Sequence, residues 1–322
     1  MDKNGCTIFS ESSSMDFEKL SENRISLSGI KMDRKISVET TAFVILHYGS
    51  RDVTDQCVQS VLRMDHQESV QIIIVDNEIQ KPEADRAKLK AAYQGIPNIT
   101  VLMIRENGGF SYANNQGYRY ARERLGAAFI LVLNNDIEFT QKDFLQQMVQ
   151  SWKKDPCHII GIDIIRKSTG EHQNPMDTRL RTREEAEHTI RMNRQALKHY
   201  QLLYPLLYWN FRRLQRIATA KRKNDKAYAS VQKDIVPFGA CLIFTPDFVK
   251  SEQLAFTPET RFYYEEYILA NRCRQKSYHI HYIPMMKAWH ESGKATEVSY
   301  RGEKEKLRFV MERTAEACEV YL

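Results

Sequence analysis

The sequence predicts an α/β protein built on a doubly wound, mostly parallel sheet flanked by helices. Between residues 40 and 140, short β-branched runs alternate with amphipathic helical patterns. Each run is apolar throughout, as strands covered on both faces are. Each also ends in polar residues, and sheets of this kind bind ligands outside the carboxyl ends of their strands. Strict β-α-β-α order implies parallel strands joined by right-handed crossovers.

"TAFVILHY" (41–48) reads as the first buried strand, broken by Gly49 and Ser50. "DVTDQCVQSVLRM" follows with Val53, Cys57, Val58, Val61 and Leu62 at helical spacing. "VQIIIVDNE" (70–78) is the second strand and ends in Asp76 and Asn77; "DRAKLKAAYQG" is a helix. "ITVLMIRE" (99–106) is the third strand and stops at Asn107. "SYANNQGYRYARERLG" is a helix closed by Gly126. "AAFILVLNND" is the fourth strand, and its mouth carries Asn134, Asn135 and Asp136. Beyond it come an amphipathic helix ("QKDFLQQMVQSWKKD"), a strand at 158–166, and a strand running into a helix at 235–249. A helix led by two carboxylates within 260–278, a strand ending near His290 and a terminal helix complete the chain.

The 322 residues suffice for one large α/β domain or two smaller ones with a full core. The text divides into an extension over 1–38 with a short helix near 15–22, a first half over 39–165, a basic, aromatic helical insertion over 166–233, and a second half over 234–322. No run reaches the roughly 18 apolar residues of a membrane span, and the N-terminus lacks a secretory pattern. Six scattered cysteines with no CxxC pair read as reduced thiols of a cytoplasmic protein. Net charge is +6, but residues 166–233 hold 16 Lys or Arg against 6 Asp or Glu. That segment is expected to face something anionic.

Four consecutive polar strand ends, at His47 and Tyr48, Asp76 and Asn77, Asn107, and Asn134 to Asp136, point to one site lined from several strands. There is no GxGxxG and no GxxxxGK[ST], which excludes the usual dinucleotide and P-loop fingerprints. A carboxylate at the end of "IIIV" needs a partner. For Asp76 a nucleoside would serve, and so would its own turn. Asp136, flanked by amides, suits a hard divalent cation that keeps waters and bridges phosphate oxygens. Such a site is weak until a diphosphate completes it. The glycines of "NGGF" either approach a ligand or form a tight turn.

These residues resemble the family 2 glycosyltransferases of GT-A fold, in particular rhamnosyltransferase-like enzymes of bacterial polysaccharide assembly. "FVILHYG" and "IIIVDN" resemble the family's first two strands. "NGGFSYANNQG" (107–117) resembles its N-x-G-F-x-x-A-N-N-x-G string, and Leu133 to Asp136 its L-N-x-D metal motif. Gly239 and Ala240, "YYEEYIL" and "WHESG" match later motifs, so the likeness spans about residues 40–296. It implies transfer of a sugar, with inversion, from a nucleotide-diphosphate donor such as a UDP- or dTDP-sugar. The acceptor implied is a hydroxyl on a growing, lipid-linked cell-surface glycan of the capsule or cell wall. It implies that Asp76 binds the nucleoside, with His47, Tyr48, Asn107, Gly109, Phe110, Asn114 and Asn135 around the donor. Asp136 would ligate a divalent cation (Mn or Mg), with His290 beside it. Glu266 takes the place of the family's base Asp, with Glu265 as the alternative. Two positions depart from the pattern: Ile268 replaces a second Asp, and Ala295 replaces a Ser.

The stretch 192–228 mixes Leu, Tyr, Trp209 and Phe211 with Arg and Lys, which suits a membrane interface with anionic lipids. This predicts peripheral contact at the inner face of the membrane. The alternative is packing of the aromatic residues on the domain, or on the partner of a homodimer. Nucleic acid is not expected, since no recognised module accompanies the charge. A nucleotidyltransferase and a catalytically degenerate nucleotide-sugar-binding protein are the rival functions.

Overall fold

The computed structural model describes residues 39–106, 108–224, 226–291 and 302–322. The expected extension over 1–38, Asn107, and the motif positions Gly293 and Ala295 lie outside the described residues.

The first half is a parallel ladder. β1 (Thr41–His47) pairs with β2 (Val70–Asp76) on one side and β4 (Phe129–Asn134) on the other, and β3 (Ile99–Met103) flanks β2. All seven residues of β1 are buried, which explains its unbroken apolar run. Burying each of its large side chains contributes roughly 1.5–3 kcal/mol. Register sets His47 beside Asp76, and Leu46 beside Asn134. The polar strand ends thus share one edge.

Helix α1 (Arg51–Leu62) follows β1, started by the Ser50 hydroxyl, which accepts the Asp52 N–H. α2 (Glu83–Ala92) follows β2 and α3 (Gly109–Glu123) follows β3. At Gly117 a Cβ would stand 2.3 Å from Val44 Cγ1 and 2.8 Å from Val75 Cγ2. A glycine there lets α3 lie directly on β1 and β2.

The second half departs from simple alternation. β5 (Ile137–Phe139) follows β4 directly, then α4 (Phe144–Lys154) and β6 (Ile159–Arg166). After the insertion come β7 (Gln232–Lys233), β8 (Cys241–Phe244), α7 (Pro246–Ser251), α8 (Glu265–Gln275) and β9 (Ile280–His290). The sheet order is β3-β2-β1-β4-β8-β6-β9-β5, with β7 on β9; β8 runs antiparallel to β4 and β6, while β9 runs parallel to β6. The sheet is therefore mostly parallel, as expected. The strand expected within 235–249 shrinks to four residues, and β5 and β7 were not anticipated.

One irregularity places the site. The β6–β9 register jumps between Ile162 and Asp163: Ile162 faces Ile283, but Asp163 faces Lys287. The bulge holds Pro284, which has no N–H to give a ladder. Gln141 fills it, donating to Met285 O at 2.9 Å and accepting from Lys287 N at 2.6 Å. Beyond the bulge β9 takes up β5 antiparallel, with His290 opposite Ile137.

The basic segment contains α5 (Arg183–Lys198) and α6 (Tyr200–Asn224), and α9 (Glu303–Tyr321) packs against both. α5 starts in a capping box of Thr182 and Glu185. Tyr200, Tyr204, Leu207 and Phe211 of α6 form a cluster with Leu307 and Met311 of α9. Packing on the domain thus accounts for that face of α6. The five described cysteines are free and buried.

Candidate active site

Asp136 sits at the corner where the chain leaves the β4 ladder and enters β5. It is buried, and its backbone carbonyl accepts the Glu291 N–H at 3.1 Å. The β5–β9 pairing brings in His290, whose Nε2 is 3.1 Å from Asp136 Oδ1. That separation meets an ion-pair distance, yet the orientation leaves Oδ1 buried without a hydrogen bond. Gln173 Oε1 lies 2.7 Å from His290 Nδ1. An amide oxygen only accepts, so Nδ1 donates to Gln173; with that tautomer unprotonated at Nε2, the Nε2 lone pair would face Asp136. Two buried lone-pair donors facing one space fit a divalent cation. Their separation is about that of adjacent ligands on an ion with bonds of roughly 2.1 Å. No group of three or more His, Cys, Asp or Glu arranged to hold a metal ion exists among the described residues. An ion held here would complete its shell with waters and ligand oxygens.

A cleft of about 290 Å³ opens at the mouths of β1 and β2, lined by His47, Asp76, Glu78, Lys81 and Arg86 among others. Asp76 already has partners: Arg86 Nε at 2.7 Å from Oδ2, and the Glu78 N–H at 3.0 Å from Oδ1. The need inferred from its desolvation is met within the chain, and Arg86 brings a cation into the cleft. Glu78 is buried. Desolvation pushes its carboxyl up, but hydrogen bonds from His47 and Lys81 and the Gly49 N–H win, and it titrates below the usual range. His47 Nδ1 meets the Thr54 hydroxyl at 2.7 Å. Asn135 donates to that same hydroxyl and to Tyr48 O, both at 2.9 Å. Its amide hydrogens thus tie the mouth of β4 to β1 and α1.

The "NGGFSYANNQG" string grips a distant loop. Gly109 has φ +84°, and a Cβ on it would stand 2.2 Å from Arg261 O; Phe110 donates its N–H to the same oxygen at 2.7 Å. Asn115 makes a reciprocal pair with the backbone of Phe256, Nδ2 to O and N to Oδ1, both 2.9 Å. Asn114 donates to Phe110 O and leaves its buried Oδ1 without a hydrogen bond. The gripped loop leads to Tyr263 and Tyr264, both with φ +64°. Left-handed backbone costs non-glycine residues roughly 1–2 kcal/mol each, and such strain collects at functional sites.

Glu265 and Glu266 follow this strained entry as the first residues of α8. Glu266 is buried, and its Oε1 accepts the Gly239 N–H at 3.1 Å. A Cβ on Gly239 would stand 2.7 Å from that oxygen, so the glycine makes room for the carboxylate. The neighbouring Ala240 carbonyl accepts the Asn134 N–H at 3.0 Å. The Glu266 wall and the Asp136 strand are therefore joined through one dipeptide. Desolvation raises the pKa of both acids, that of Glu265 further because Glu266 repels it. Glu265 Oε2 is buried without a hydrogen bond. Ile268, where the resemblance has a second Asp, is packed in the core.

The structure thus brings together Asp136 with His290, His47 with Asp76 and Tyr48 with Asn135, and ties Glu266 to the same sheet edge. Sequence reading did not single out Gln173, Arg86, Glu78 or Thr54. Gln173 is 117 residues from His290 in the chain, and only the β6–β9 pairing brings them near.

The site thus combines polar strand mouths on a mostly parallel sheet, a carboxylate–imidazole pair after β4 and a buried carboxylate at the start of α8. Residues 42–219 match the model of Glycosyl transferase family 2. The match covers more than half of the chain, and the chain belongs to that family. Solved structures of similar shape include S. aureus TarS 1-349, at 12% identity and TM-score 0.48 over 84% of this chain and 65% of that one. Another is the mannosyltransferase PcManGT from Pyrobaculum calidifontis in complex with GDP-Man and Mn2+, at 10% identity and TM-score 0.48 over 88% and 73%. The chain spans just under two thirds of the TarS chain. No curated protein matches it. No helix among the described residues is long and apolar enough to cross a membrane.

Proposed function

We propose that the enzyme moves a sugar from a nucleotide-diphosphate donor, such as a UDP- or dTDP-sugar, to a hydroxyl of a growing, lipid-linked cell-surface glycan, with inversion. The observation that carries this is the buried, unsatisfied Asp136 Oδ1 facing His290. Along one sheet edge the residues run from a polar cleft at Asp76, His47 and Arg86, past the Asp136–His290 pair, to Glu266. That order matches the order of parts in such a donor: nucleoside, diphosphate, sugar. Arg86 and Lys81, ion-paired with Asp76 and Glu78, line the nucleoside end. Gly109, Phe110, Asn114 and Asn107 border the same donor by resemblance.

The residues fit a divalent cation, Mn or Mg, held by Asp136 and His290. When bound it supplies charge compensation for the leaving diphosphate. Gln173 holds the His290 ring in the tautomer that presents Nε2. Glu266 removes the acceptor hydroxyl proton as the new bond forms. Its Oε1 is fixed by the Gly239 N–H, and burial raises its proton affinity. Glu265, whose pKa is raised by burial and by the neighbouring Glu266, shapes the wall. Residues 39–165 form the donor half and residues 234–322 the acceptor half, with 166–233 as an insertion that contacts the inner face of the membrane.

Nucleotide-sugar turnover with added Mn2+ tests the reading. Metal-dependent release of nucleoside diphosphate is expected from the wild type and absent in Asp136→Ala and Glu266→Gln. Full activity in either variant removes that residue's role.

A further inference from the structure

α6 is apolar on two faces, and only one is covered. Tyr200, Tyr204, Leu207 and Phe211, spaced i, i+4, i+7 and i+11, pack toward α9. Leu202, Leu206, Trp209 and Arg213 repeat the same spacing on another face. Leu202 is 83% exposed, Leu206 64% and Trp209 60%. Ile217 is also exposed, one turn further on. A helix apolar on two faces is ordinarily covered on both.

Charge identifies the occupant. α6 has six Lys or Arg and no Asp or Glu. Arg213 lies over the Trp209 ring at 5.6 Å, and Arg212 over Tyr208 at 5.9 Å. Self-packing of two copies through this face would bring basic residues together with no acidic partner on the helix. A bilayer surface with anionic headgroups supplies what both parts lack: acyl boundary for Leu202, Leu206 and Trp209, and phosphates for Arg212, Arg213 and Arg216.

We infer that the outward face of α6 is a docking surface for an anionic phospholipid bilayer, with the Leu202–Leu206–Trp209 half inserted and the arginine half on the headgroups. This deepens the proposed membrane contact and is independent of the donor reading. The inner side of the helix is anchored near the candidate site. Thr219 donates to Glu171 at 3.0 Å and Arg222 to Met176 O at 2.8 Å, on the segment that carries Gln173. A docked α6 would therefore hold the His290 wall at a fixed height above the membrane.

Co-flotation of the full chain with phosphatidylcholine vesicles, with and without phosphatidylglycerol, decides the matter. The wild type is expected to float with phosphatidylglycerol vesicles at low salt, to be released by high salt, and not to float with phosphatidylcholine alone. Leu202→Glu/Trp209→Glu and Arg213→Glu/Arg216→Glu should each lower partitioning at least about tenfold. Circular dichroism and nucleotide-induced thermal shifts of the variants separate loss of docking from loss of fold or of donor binding. Unchanged flotation of both variants, or no flotation of the wild type, overturns the inference. So does a dimer in solution that Leu202→Glu/Trp209→Glu dissolves while vesicle binding is absent, since a second copy then covers the face.

Discussion

Asp136 Oδ1 and His290 Nε2 stand 3.1 Å apart, yet share no hydrogen bond. Removing the carboxylate removes half of that pair. Asp136→Ala is expected to lower transfer by about 10³-fold or more, in the range of lost transition-state charge compensation. Stability should hold or rise, because an unsatisfied buried oxygen is deleted. Thermal melts beside turnover assays check both parts, and a variant that loses its fold would count against the account.

Gln173 acts through His290. Gln173→Leu removes the acceptor at Nδ1 and frees the ring to turn. Loss of such supporting partners costs roughly 10–100-fold in metal affinity or activity. Metal titration should show a raised half-saturation for Mn2+, and Gln173→Glu, which keeps an acceptor oxygen, should recover part of it. A purely structural role would leave the metal dependence unchanged.

The Glu pair gives two pH effects of opposite use. Glu266 must be ionised to act as base, and burial raises its pKa. Activity should therefore rise with pH through a value above the ordinary glutamate range, and this limb should vanish in Glu266→Gln. For stability the sign is reversed. A carboxyl whose folded pKa is raised binds protons more tightly folded than unfolded, so stability is fully present below the unfolded value and declines as pH rises through the folded one. Glu265→Gln is expected to stabilise the enzyme at neutral pH, with the gain disappearing near pH 4. Urea midpoints across pH measure it.

Gly109 and Gly239 should separate stability from chemistry. Gly109→Ala places a Cβ on a φ of +84° and against Arg261 O, so a destabilisation of about 2 kcal/mol or more is expected. Gly239→Ala meets only the end of the Glu266 side chain, at 2.7 Å. It should leave the melting temperature nearly unchanged while lowering kcat, because the base is turned from its hydrogen bond. Equal loss of stability in both variants would contradict this.

Much of the frame was legible in the sequence. Buried parallel strands have an unbroken apolar run, and β1, β2 and β4 show it within one or two residues. β3 ends at Met103 rather than at Glu106, since its last three expected residues leave the ladder. The Asp136–His290 pair was reached through motif likeness, because nothing local predicts a β9 bulge that re-aims His290 onto β5. Asp76 shows the limit of the desolvation argument, which identifies that a partner is needed but not that Arg86, ten residues on, supplies it. Asn107 and Asn114 of "NGGFSYANNQG" read as donor contacts, while Asn115, not singled out, clamps Phe256 across 141 residues. That use of a signature residue has no local sign. On α6 the sequence mixes both faces, and only the α9 contact shows which one is left uncovered.

The account rests on a cation joining Asp136 and His290 to a diphosphate. Isothermal titration of UDP, dTDP and GDP into wild type and Asp136→Ala, each with and without Mn2+, tests it most directly. At least one nucleotide should bind the wild type tenfold or more tightly with Mn2+, and that gain should be lost in Asp136→Ala. Binding that ignores Mn2+ in both proteins, or a gain that survives the substitution, would contradict it.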